Sequence, residues 1–133
     1  MPDAINEVQE LHLRLIELVE YNELDGKRVA NDLRANPTLW RAAILDSESV
    51  IKPSRSDYVV AINLIKLRDL PEGIWNVDTL FLLPEAGREE QLEALARRWN
   101  ADEVGWYGRE EAAARLGGGG AIDPHAILRV WWD

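Results

Sequence analysis

Two short phrases carry the strongest chemical suggestion in this chain: Gly87-Arg88-Glu89-Glu90 and Gly108-Arg109-Glu110-Glu111. Each follows an apolar run, residues 79–84 in one case and 103–107 in the other. An arginine at a helix start, beside unpaired backbone N–H groups, can fork onto a carboxylate or phosphate. Glu85 and Tyr107 border the two turns, and Asp133 follows a third apolar run, residues 126–132. If the three runs are parallel strands, their carboxyl ends gather Glu85, Arg88, Tyr107, Arg109 and Asp133 into one ligand-binding edge. A plainer reading is that Glu89, Glu90, Glu110 and Glu111 complement the positive ends of two helices, at about 0.3–1 kcal/mol each. The same carboxylates repel phosphate, which counts against nucleotide binding.

Other reactive patterns are weaker. Gly117-Gly118-Gly119-Gly120 follows an expected helix, whereas a phosphate loop needs its glycines before one. The two histidines, His12 and His125, share no metal-ligand spacing, and Asp123-Pro124-His125 reads first as a turn. There is no G-x-S-x-G elbow, and Ser47, Ser49, Ser54 and Ser56 fall in a polar stretch. The absence of cysteine excludes disulfides, thiol nucleophiles and zinc–thiolate sites. The expectation is therefore no catalytic residue, no metal and no cofactor.

Charge narrows the partners. The chain carries 15 basic and 24 acidic residues, a net −9, with −3 in residues 1–56 and −6 in residues 57–133. No basic stripe exists for a nucleic-acid backbone, and an acidic surface repels anionic lipid. No basic leader with an apolar core opens the chain, and no apolar run approaches the roughly 20 residues of a membrane span. A cytoplasmic protein is expected. At 133 residues, one domain is expected, with residues 1–46 helical and residues 57–133 α/β.

The elements that must position these groups follow from periodicity. At 100° per residue, Ala4, Ile5, Val8, Leu11, Leu15, Ile16, Leu18 and Val19 share one sector of a first helix, with His12 inside it and Leu13 outside. That sector is wider than one neighbouring helix covers, so the helix faces a broad surface or a partner. A second helix spans residues 26–35 and buries Val29, Ala30 and Leu33. Asn36-Pro37 reads as the start of a third, over residues 37–45, burying Trp40, Ala43 and Ile44. Residues 46–57 form a polar linker, and residues 58–67 read as a buried strand because they are β-branched and aromatic. Helices at 88–99 and 109–116 then alternate with the three apolar runs.

Strand, turn and helix repeated in this way predict an α/β or α+β fold: N-terminal helices packed on a small, mostly parallel sheet of three or four strands, with a βαβαβ C-terminal half. Six of the ten aromatic residues are tryptophan, including Trp106, Trp131 and Trp132. Tryptophan is enriched in interface hot spots, so these three and His12 are the candidate interface residues. The resulting expectation is a non-enzymatic protein-binding or regulatory module that self-associates as a homodimer. The alternative is a binder of, or enzyme for, an anionic metabolite at the carboxyl edge of the sheet. An acidic mimic of nucleic acid fits the charge but has no motif behind it.

Overall fold

Asn6 starts the first helix by accepting the backbone N–H of Gln9 on its side-chain oxygen at 2.8 Å. In the computed structural model, which describes residues 5–46, 64–75, 77–108 and 127–133, helix α1 spans Glu7–Leu18. Strands β1 (Glu20–Tyr21) and β2 (Leu24–Asp25) make a two-residue hairpin through Asn22, whose φ of 48° suits asparagine. Asp25 then caps α2, Gly26–Ala35, by accepting the Arg28 N–H at 3.2 Å. Val29, Ala30 and Leu33 are buried on α2 as its periodicity requires.

The expected third helix does not form. Asn36 closes α2 instead, donating its side-chain N–H to the Asp32 carbonyl at 2.8 Å. Pro37 sits in the turn that follows, and the chain continues as strand β3, Trp40–Asp46. Trp40, Ala43 and Leu45 are buried on it while Ile44 faces outward. Pairing with a neighbouring strand here overrides a helical start signal that reads only local chemistry. The strand expected at 58–67 fails where it can be compared, because α3 spans Leu64–Asp69 and runs into a 3-10 turn, Leu70–Glu72, closed by Gly73. Expectations for residues 47–63 and 109–126, including Arg109, the helix at 109–116, the glycine run and His125, lie outside the described residues.

The remaining elements are β4 (Thr79–Pro84), α4 (Glu89–Ala96) with a 3-10 extension Arg97–Trp99, β5 (Glu103–Tyr107) and β6 (Ile127–Trp131). The sheet order is β3-β4-β6-β5, and every neighbouring pair is antiparallel. The mostly parallel sheet is therefore corrected to an antiparallel one, in an α+β fold. Since β4 and β5 both oppose β6, they run in the same direction, joined through α4. The third strand has been inserted between them. Alternation of strands and helices does not reveal such an insertion. Arg129 in the middle of β6 was the available clue, since a half-polar strand suits a sheet with one face less covered.

One sheet face carries Ala43, Leu45, Leu80, Leu82, Leu128 and Val130 into a core shared with Leu13 and Ile16 of α1, Leu33 of α2 and Leu92 and Leu95 of α4. The opposite face holds Phe81 and Tyr107, whose rings stack 6.2 Å apart. Arg129 shares that face, 5.7 Å from the Trp131 ring and 2.8 Å from the Glu103 carboxylate.

Tryptophan abundance has a structural explanation. Trp40 donates its indole N–H to the Leu33 carbonyl at 2.8 Å, and Trp99 donates to the Asp32 carboxylate at 2.8 Å. Trp106 donates to Glu93 at 2.7 Å, and Trp132 to the Trp99 carbonyl at 3.0 Å. Each bond ties two separate elements together while the ring fills the space between them.

Candidate docking surface on the first helix

Four of the five residues of the expected anion site are described, and they do not share one end of the sheet. Glu85, Arg88 and Tyr107 lie at the end of the sheet where β4 and β5 finish, but β6 separates the two strands by two inter-strand spacings, roughly 10 Å. The Glu85 carboxylate is 3.9 Å from Arg41, while its carbonyl accepts the Arg88 N–H at 3.0 Å; Arg88 is exposed at the start of α4. Tyr107 is buried against Phe81. Asp133 lies at the opposite end, because β6 runs the other way; its N–H donates to Asp102 at 2.6 Å, and its carbonyl accepts from Asn22. Arg109 is outside the described residues. Among the described residues no cluster of three histidine or acidic side chains could hold a metal ion, and no helix is long and apolar enough to cross a membrane.

The candidate interface residues scatter as well. Trp132 is fully buried and belongs to the core, and Trp106 is half-buried against Glu93. Trp131 is half-buried on the sheet face away from the helices, next to Arg129. His12 alone borders an exposed apolar surface, with Nδ1 3.0 Å from the Val8 carbonyl oxygen.

That surface is the outer face of α1. The inner face is held in three ways. Leu13 and Ile16 are completely buried. The Gln9 side-chain amide donates to the Ala43 carbonyl at 2.7 Å and accepts the Ala43 N–H at 3.0 Å. Arg34 of α2 reaches Glu10 at 2.7 Å and also bonds Glu17. The hydrogen bond to Glu10, opposed by partial burial and reinforced by Glu17, holds the Arg34 guanidinium above its ordinary pKa. The helix is therefore firmly seated.

Its outer face is apolar. Val8, Leu11, Leu15 and Leu18 are 67%, 58%, 37% and 68% exposed, although each is a large hydrophobe. At 3.6 residues per turn they fall within an arc of about 80°, roughly opposite Gln9 and Leu13. Single exposed hydrophobes are ordinary; here four of them form one contiguous ridge. The expected sector merged this ridge with the buried one and left out Leu13. Two apolar faces on one helix average into a single broad sector whose centre matches neither. The three–four–three spacing of Val8, Leu11, Leu15 and Leu18 was the signal that separates them. No protein-family model, curated protein or solved structure matches this chain.

Proposed function

We propose that this chain is a non-enzymatic protein-docking module that receives an apolar helix on the outer ridge of α1. The observation behind this reading is the contrast within one helix: a face locked by Leu13, Ile16, Gln9 and Arg34, and a second face of four exposed hydrophobes with nothing polar among them. A helix laid in register places its own apolar side chains between Val8, Leu11, Leu15 and Leu18, the geometry of helix-on-helix recognition. Such a ridge binds through shape and apolar burial.

The test uses a synthetic amphipathic peptide with leucines at three–four–three spacing, titrated into isotope-labelled protein. Saturable amide shifts confined to Glu7–Leu18 and its neighbours support the reading, and a Leu11→Lys/Leu15→Lys variant should abolish them. Shifts elsewhere, or none at millimolar peptide, would overturn it.

A further inference from the structure

We infer that the natural occupant of this ridge is the same ridge on a second copy of the chain, so that two α1 helices meet face to face. The inference rests on the docking reading and adds the partner. Two properties of the surface point to self-pairing rather than to a foreign protein, and a third sets the strength of the contact.

The first is self-complementarity. Side chains spaced three, four and three residues apart occupy the a and d positions of a heptad, and the hole that accepts such a knob is formed by another helix with the same spacing. Val8, Leu11, Leu15 and Leu18 supply both the knobs and the holes.

The second is charge. A chain of net −9 would ordinarily repel its own copy. Beside this ridge part of that charge is compensated. Glu10 and Glu17 are both engaged by Arg34, and the charges flanking the apolar residues, Glu7 and Arg14, are of opposite sign one heptad apart. The border therefore offers neither an acidic ring that would select a basic partner nor a barrier to an identical one.

The third is size. A helix of 12 residues is about 18 Å long, and two such faces bury on the order of 700 Å² in total. Stable complexes bury roughly 1,200 Å² or more, so this contact belongs to the weak and transient class. A reversible dimer at micromolar or higher concentration suits the area, and the monomer tolerates a patch of a few hundred Å².

Sedimentation equilibrium on the full chain from about 5 to 500 μM should show a monomer–dimer equilibrium. Leu11→Lys combined with Leu15→Lys should weaken it at least about 100-fold, with the far-ultraviolet dichroism unchanged. Because the chain has no cysteine, Leu11→Cys and Leu15→Cys variants report the contact directly. Disulfides form where Cα atoms approach within roughly 7 Å. Each variant cross-linking to itself, or the two cross-linking only when mixed, supports the paired ridge and reads its direction as parallel or antiparallel. A wild type that remains monomeric at 500 μM overturns the inference, as does a dimer that the lysine pair leaves intact. If the leucine peptide still binds α1 in either case, the docking reading survives; if it does not, both fall.

Discussion

Gln9 and Ala43 are joined at two points, with one side-chain amide closing on both the carbonyl and the N–H of a single strand residue. Ala43 lies on β3, an edge of the sheet, so its outward backbone groups would otherwise be open to another strand. The Gln9 amide fills the place of that strand and fixes α1 along the edge. Helix position and edge protection thus depend on the same side chain.

Replacing Gln9 by alanine should destabilise the fold by about 1–3 kcal/mol, the cost of leaving two backbone groups of a partly buried strand without their partner. Urea titration measures the loss. Gln9→Glu should recover little, because a carboxylate cannot donate to the Ala43 carbonyl and sets its charge against it. Equal stability in all three proteins would mean the clamp contributes nothing.

Gly26 offers a test in which two principles oppose each other. Alanine normally stabilises a helix by up to about 1 kcal/mol relative to glycine. A Cβ at position 26, however, would sit 1.9 Å from the Ile16 carbonyl oxygen and 2.9 Å from the Val19 side chain. Overpacking of this kind should dominate, so Gly26→Ala is expected to lower stability by about 2–3 kcal/mol. A neutral or stabilising effect in thermal unfolding would show that α2 does not begin so close to the end of α1.

Leu13 and Leu15 differ by two positions and should respond to very different extents. Leu13→Ala removes a fully buried side chain and should cost about 2–5 kcal/mol. Leu15→Ala, on the exposed ridge, should cost less than about 1 kcal/mol in the isolated chain. Chemical denaturation of the dilute protein compares them, and a reversed order would place the ridge in the core.

Glu93 accepts the Trp106 indole N–H, which is the main cause that holds its carboxyl below the usual range, followed by its hydrogen bond with Arg97. A depressed folded-state pKa contributes stability that is complete above the unfolded value near 4.5 and disappears as pH falls through the lower folded value. Unfolding followed from pH 6 down to pH 2 should therefore show a steeper loss for the wild type than for Glu93→Gln. Trp106→Phe should flatten the profile in the same direction, since it removes the principal donor. Parallel profiles for all three proteins would contradict the role of this pair.

Some of this architecture was legible in the residues alone. The helix Gly26–Ala35, the helix over Glu89–Ala96 and its buried Leu92, Leu95 and Ala96 follow from local periodicity, because the side chains that must be buried are close in sequence. The three apolar runs of the C-terminal half were identifiable as strands for the same reason. Tertiary structure alone decided how the strands are ordered and directed, because β6 reaches its place between β4 and β5 through pairing that has no local signature. It decided that Trp40 begins a strand, since the partner that overrides the Asn36-Pro37 signal lies around Pro84, far along the chain. It also decided which apolar face of α1 is covered: Leu13 and Leu15 are the same residue type two places apart, and only the positions of Ala43 and Arg34 turn one inward and leave the other exposed.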